Sequence, residues 1–214
     1  MTPSADPRRV VAEGYDAVAA RYQEWMASGV DDPVRQRYTD ALLDHLPPGA
    51  RVLELGCGGG GPTTARLAAR FRFVGVDLSA GQLAFARRSL PDAALVQADM
   101  TRLHFPARTF DGVASFYALT HLPHGELPAL VRRVADWLRP GGRLVASFGT
   151  RLNPGFVEDD WLGAPMYFSG YPPAQTERFL AEAGFALVSG RVETIVEEGR
   201  PARFYWIAAD KLAT

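Results

Sequence analysis

Apolar and polar positions follow two different rhythms along this chain, and their order predicts an architecture. From Pro7 to Trp25, Val11, Tyr15, Val18 and Tyr22 recur at helical spacing behind an Asp6-Pro7 pair suited to a helix start. A second helical stretch runs from Pro33 towards His45, and Pro47-Pro48-Gly49 breaks it. Short apolar runs then alternate with helical ones. Strands are expected near 51–55, 71–77, 94–99, 110–118 and 143–148, helices near 62–70, 80–90 and 124–138, and a turn at Arg139-Pro140-Gly141-Gly142. This rhythm implies parallel strands joined by crossover helices, an α/β doubly wound sheet. Residues 150–171 mix Gly, Pro and aromatics and read as an ordered insertion after the fifth strand. A helix near 173–183 leads to two last strands, near 185–193 and 202–209, whose turn-like connection at 197–201 suits an antiparallel pair.

Length then limits the domain count. At 214 residues the chain holds one substantial core. It is read as a single domain: a helical lid over 1–49, a core over 50–149, the insertion over 150–172, and a C-terminal helix and strands over 173–214. With 47% hydrophobic and 22% charged residues the composition is that of a soluble globular protein. A net charge of −1 offers no general attraction for phosphate backbones, so nucleic acid is disfavoured as a partner. The single cysteine, Cys57, allows no intrachain disulfide, and a cytoplasmic location is expected. The N-terminal stretch lacks the apolar centre of a secretory signal, no run approaches the length of a membrane span, and the four histidines have no metal-ligand spacing. Neither a membrane nor a metal is expected.

The chemistry concentrates at RVLELGCGGGG, Arg51 to Gly61, where an apolar strand runs into five glycines. Glycine lets a ligand approach the main chain, and the amides of the next helix start then face it. Gly56, Gly58 and Gly61 satisfy the G-x-G-x-x-G spacing of dinucleotide-binding enzymes, so an NAD-dependent oxidoreductase is one reading. Glu54 argues for another: a carboxylate there repels a pyrophosphate but attracts an ammonium group. The oxidoreductase reading also lacks a catalytic Tyr-Lys pair, because the only lysine is Lys211. Asp77, 19 residues after Gly58, has the spacing of an acid that takes both ribose hydroxyls, or it caps the helix starting near Ser79. Asp99 ends the third strand, where the carboxylate accepts adenine amino protons or closes an ordinary turn.

Five segments in order, VLELGCGGG, VGVDLS, VQADM, FDGVASFYALTHL and LRPGGRLVASF, resemble the class I S-adenosylmethionine-dependent methyltransferases over roughly residues 50–150, and YDAVAARYQEW is similar to the N-terminal lid of many small-molecule members. The resemblance implies a Rossmann-like seven-stranded sheet with an antiparallel last strand, S-adenosylmethionine as cofactor and S-adenosylhomocysteine as product. It places Gly56, Gly58 and Gly60 by the methionyl group with Glu54 beneath, Asp77 on the ribose, Asp99 on the adenine amino group, Leu78 and Met100 against the adenine, and Phe116 near the sulfonium. A catalytically silent domain that binds the same cofactor and acts through a partner protein would carry the same residues. The chain lacks the Asn-Pro-Pro-Tyr type motif of the nucleic-acid adenine methyltransferases in this superfamily.

The remaining positions bear on the acceptor. Tyr15 and Tyr22 lie two turns apart on one helix face, to close over the cofactor or to anchor the helix. His121, in ALTHLP after the fourth strand, is a candidate general base or a packing residue. Cys57 reads as a small loop filler. Trp25, Met26, Trp161, Met166, Tyr167, Phe168 and Tyr171 form an aromatic and methionine-rich set suited to an apolar or aromatic acceptor, or to a cation held on π faces. The expected reaction is methyl transfer to O or N of a small molecule. Oligomeric state is not readable from the sequence.

Overall fold

The computed structural model describes residues 6–27, 32–197 and 200–213, with the side chains of residues 26, 27, 197 and 200 left aside. Met26 and the turn at 198–199 therefore lie outside what is described. Two helices, α1 (Pro7–Ala27) and α2 (Pro33–His45), precede β1 (Arg51–Leu55), α3 (Pro62–Arg70), β2 (Arg72–Asp77), α4 (Ala80–Ser89), β3 (Ala94–Gln97), β4 (Phe110–Ser115), α5 (Leu127–Trp137) and β5 (Leu138–Phe148). Then come β6 (Asn153–Trp161), β7 (Ala164–Gly170), α6 (Pro173–Glu182), β8 (Phe185–Glu197) and β9 (Arg200–Lys211). Helix starts follow the local chemistry. Asp32 caps α2 by accepting from the Arg35 amide at 2.8 Å, Ser79 caps α4 by accepting from the Gln82 amide at 3.0 Å, and Pro33, Pro62 and Pro173 occupy first turns where no amide donor is needed.

Seven strands form one sheet in the order β3-β2-β1-β4-β5-β9-β8. The first five are parallel, and β9 runs antiparallel to both its neighbours. Strand alternation sorts the core. Leu53, Leu55, Val113, Leu144 and Ile207 face α5 and α6, whereas Val52, Val145, Trp206 and Ala208 pack with Leu42 of α2, Leu67 of α3 and Leu83 of α4. Burial of this kind contributes about 25 cal/mol per Å² of apolar surface and holds the strand ends rigidly in place.

The fifth strand begins earlier than the turn at 139–142 suggests, because Leu138 already pairs with Phe110 before the register shifts at Gly112. The insertion is a separate two-stranded hairpin of β6 and β7. Its turn residues Leu162 and Gly163 both have positive φ, +53° and +96°, as a tight type I′ connection requires. The hairpin leaves and rejoins the sheet at one point: a side chain added at Gly149 would lie 3.2 Å from the Gly170 Cα. It packs on α1 through Val11, Val18, Leu162 and Met166, and Gly14 permits that contact, since a Cβ there would lie 2.5 Å from the Pro165 carbonyl oxygen.

Candidate active site

A cavity opens beyond the C-terminal ends of β1, β2, β3 and β4, beneath α1, where open α/β sheets bind ligands. Its floor is the loop after β1. Gly56 has φ +76°, and a Cβ there would approach the Ala118 Cβ to 2.2 Å, so only glycine fits. Asp77 shapes this loop as well as facing the cavity: one carboxylate oxygen accepts from the Gly58 amide at 2.8 Å, the other from the Ser79 amide at 2.9 Å. Burial raises its pKa, and those amides oppose the shift. Each oxygen keeps acceptor capacity for a hydroxyl.

Asp99 is held more tightly. Thr101 donates to one oxygen from its amide at 2.8 Å and its hydroxyl at 2.7 Å, and Arg8 of α1 donates to the other from Nε at 2.6 Å. Burial alone would raise the Asp99 pKa, but the Thr101 and Arg8 hydrogen bonds hold it below the usual range. Arg8 Nη2 also donates to both Glu126 oxygens at 2.6 Å. At its middle, α1 presents Asp16, which accepts from the Ser79 hydroxyl at 2.5 Å and the Gly81 amide at 2.8 Å. The helix is thus fastened across the cavity by side chains at its start and near its middle.

Beneath the glycine loop, Glu54 is completely buried, neither of its oxygens has a hydrogen-bond partner, and the nearest cation is the Arg35 guanidinium at 3.6 Å. Burial raises its pKa to about 7 against the opposing charge of Arg35. Glu54 does not itself line the cavity; it lies beneath the loop with Arg35 as its ion-pair partner. With the Gly56 cradle, two strand-end carboxylates and the apolar walls Val76, Leu78, Met100 and Phe116, the cavity fits a sulfonium nucleoside carrying an amino acid.

His121 closes the other side. Its Nδ1 lies 2.8 Å from the Tyr167 carbonyl oxygen, which can only accept, so Nδ1 carries the proton and Nε2 accepts from the Tyr15 hydroxyl at 3.0 Å. Burial lowers the His121 pKa to about 4, keeping the imidazole neutral near pH 7. Tyr15, Tyr22, Tyr117 and His121 also line a second, aromatic chamber with Trp25, Asp32, Trp161 and Phe168, so the chamber and the cofactor cavity share one wall. Tyr117 reaches both because its backbone is left-handed, φ +61°, with its amide donating to the Ser147 hydroxyl at 2.6 Å.

Most residues singled out from the sequence meet here. Tyr15, Tyr22, Gly56, Gly58, Asp77, Leu78, Asp99, Met100, Phe116 and His121 line the first cavity and Glu54 does not; Trp25 and Trp161 line the chamber. Gly60 instead packs against Ala86 and Leu90. Tyr167 contributes its carbonyl to His121, and its hydroxyl accepts from the His124 amide at 3.3 Å, while Tyr171 accepts from the Gly125 amide at 3.0 Å and packs on Phe179; neither ring lines the chamber. Cys57 is buried, and its pKa is raised by burial, as suits a filler. Arg8, Asp32 and Tyr117 were missed. The signal for Asp32 was a capping Asp-Pro pair; Arg8 and Tyr117 had none. Among the described residues no cluster of metal-ligating side chains is found, and no helix is long and apolar enough to cross a membrane.

Residues 52–142 match a methyltransferase domain family. A ubiquinone biosynthesis O-methyltransferase of Xanthomonas axonopodis is 31% identical over 201 residues, 82% of this chain and 81% of that protein. The phosphoethanolamine N-methyltransferase of Triticum aestivum is 32% identical over 180 residues, and the chain spans only 33% of its length. A Burkholderia thailandensis 1,6-didemethyltoxoflavin-N1-methyltransferase, solved with S-adenosylhomocysteine, shares the fold at a TM-score of 0.71 and 21% identity, covering 100% of this chain and 93% of that one. Sheet order, glycine cradle and these relatives agree: the chain belongs to the class I S-adenosylmethionine-dependent methyltransferases.

Proposed function

We propose that the chain moves the methyl group of S-adenosylmethionine to an O or N atom of a small apolar or aromatic molecule seated in the aromatic chamber, with Tyr15 and His121 handling the acceptor's proton. The carrying observation is the Tyr15 hydroxyl donating to His121 Nε2 at 3.0 Å, on the wall common to chamber and cavity. Orientation is the main source of acceleration, because holding nucleophile, methyl carbon and leaving sulfur in line removes much of the entropic barrier. The buried imidazole is a weak base, but near pH 7 it is neutral at rest and its Nε2 faces Tyr15. A proton leaving the acceptor passes to the tyrosine oxygen as the tyrosine proton moves onto Nε2.

Calorimetric titration with S-adenosylmethionine, S-adenosylhomocysteine and NAD tests the cofactor; binding of the first two is expected, and binding of NAD alone would overturn the reading. For the proton relay, Tyr15→Phe and His121→Ala are expected to lower methyl-transfer turnover about 100-fold while S-adenosylhomocysteine affinity stays within twofold. Unchanged turnover would return both residues to packing.

A further inference from the structure

The chamber is not electrically neutral. It is walled by Tyr22, Trp25, Tyr117, Trp161 and Phe168; among the described residues that line it, Asp32 is the one carboxylic acid and there is no Lys or Arg. The Asp32 carboxylate is buried. One oxygen accepts from the Arg35 amide and the other from the Tyr117 hydroxyl, which occupies two of roughly four acceptor directions of a carboxylate. The Arg35 side chain is not its counterion, since that guanidinium lies over the Phe116 ring and beside Glu54. A buried acid among electron-rich ring faces, with no cation paired to it among the described residues, is the recognition chemistry of an organic cation. It disfavours an acceptor bearing a phosphate or a phenolate, because either sets a second negative charge beside Asp32.

We propose that the acceptor is an amine carried on an aromatic or apolar body, that Asp32 and the ring faces hold its nitrogen, and that transfer is therefore to N. The inference rests on the methyltransferase reading above. The amine binds as its ammonium ion, passes one proton to the Tyr15 oxygen as the tyrosine proton moves onto His121 Nε2, and then reacts as its free base: the nitrogen lone pair forms the new bond to the methyl carbon while the carbon–sulfur bond breaks and its electron pair stays on sulfur. Positive charge thereby moves from sulfur to nitrogen, out of the cofactor cavity and into the chamber. Attraction to Asp32 and the rings grows as that charge arrives, which stabilises the transition state relative to the free-base complex from which it forms. The methylated product leaves as an ammonium ion, and the proton held by His121 passes to water. Tyr117 is a positioning residue here, because its strained backbone and its hydroxyl contact fix where the carboxylate faces.

The test uses the full chain saturated with S-adenosylhomocysteine and reads the fluorescence of Trp25 and Trp161 during titration with phenethylamine, 2-phenylethanol and phosphoethanolamine at pH 7. Phenethylamine, an ammonium ion under these conditions, is expected to bind at least tenfold more tightly than the alcohol, and phosphoethanolamine is expected not to saturate. In Asp32→Asn, which keeps a capping side chain on α2, the preference for amine over alcohol should fall to within twofold while the Tm stays close to that of the parent. Equal or tighter binding of the alcohol, saturation by phosphoethanolamine, or an undiminished amine preference in Asp32→Asn would overturn the inference. Failure of S-adenosylhomocysteine to bind in the preceding calorimetric step would instead overturn the reading beneath it.

Discussion

The cofactor cavity and the aromatic chamber share a wall, yet they are assembled in opposite ways. The floor of the cavity is built from short contiguous stretches, the Gly56–Gly58 loop, Asp77-Leu78 and Asp99-Met100, each beyond the end of a parallel strand whose partners fix its height, and α1 covers it with Arg8, Val11, Tyr15 and Tyr22. The chamber takes Tyr15, Tyr22 and Trp25 from α1, Asp32 from the start of α2, Tyr117 and His121 from beyond β4, Trp161 and Phe168 from the hairpin, and Phe204 from β9. The floor of one is a property of the sheet, and the other is a property of what rests on it. The cavity should therefore tolerate changes in the lid and hairpin better than the chamber tolerates any change in their packing.

The largest effect that would separate the two halves is expected from Gly56→Ala. A left-handed backbone and a Cβ 2.2 Å from that of Ala118 leave no room for the methyl group, and S-adenosylhomocysteine affinity should drop by about 100-fold or more in calorimetry. Retained affinity would mean that the loop is not the cofactor floor. A smaller effect is expected from Arg8→Ala, which unfastens α1 from Asp99 and Glu126. Charged hydrogen bonds contribute about 1.5–3 kcal/mol when well buried, and these are partly exposed, so stopped-flow release of S-adenosylhomocysteine should quicken about tenfold or less. Slower release would mean instead that Arg8 competes with the adenine for Asp99.

The smallest effect is in pH dependence, and the halves oppose each other there. His121 has a folded pKa of about 4, below its ordinary value of 6.5, so the unfolded chain binds more protons between these values; its contribution is complete above pH 6.5 and is lost as pH falls towards 4. Glu54 has a folded pKa of about 7, above its ordinary value of 4.5, so its contribution is complete below pH 4.5 and is lost as pH rises through 7. Urea unfolding at stepped pH should show stability rising with pH from 4.5 to 6.5 in Glu54→Gln and falling over the same window in His121→Asn. Parallel slopes in the two variants would remove the assignment.

The same division governs what the sequence made legible. Strand–glycine–helix transitions are local, so β1, β2, β4, the cradle and the strand-end acids could be read from adjacent residues. The hairpin was read only as an ordered insertion, because its turn is Leu162-Gly163 rather than an Asn-Gly or Asp-Gly pair, and the tertiary contact of Leu162 with Val18 outweighs the turn preference. Tyr117 escaped notice because nothing local marks a left-handed tyrosine. Arg8 meets Asp99 across 91 positions of chain, a pairing that no spacing rule reaches. Tyr167 and Tyr171 were grouped with Trp161 on composition, yet Tyr167 and Tyr171 anchor the loop after His121 through the His124 and Gly125 amides.

Because Gly149 and Gly170 nearly touch where the hairpin departs and returns, β6 and β7 form an exchangeable cassette. A hairpin of different length or composition can be grafted between those glycines without disturbing the register of any sheet strand, much as loops are exchanged where chain ends meet. Such a graft would re-tool acceptor choice and spare the cofactor floor. It carries an obligation: the incoming strand must present a carbonyl where Tyr167 does now, or the imidazole of His121 loses the contact that fixes its tautomer. Diversification of this scaffold is thus confined by that backbone oxygen together with the apolar face that the hairpin packs on α1.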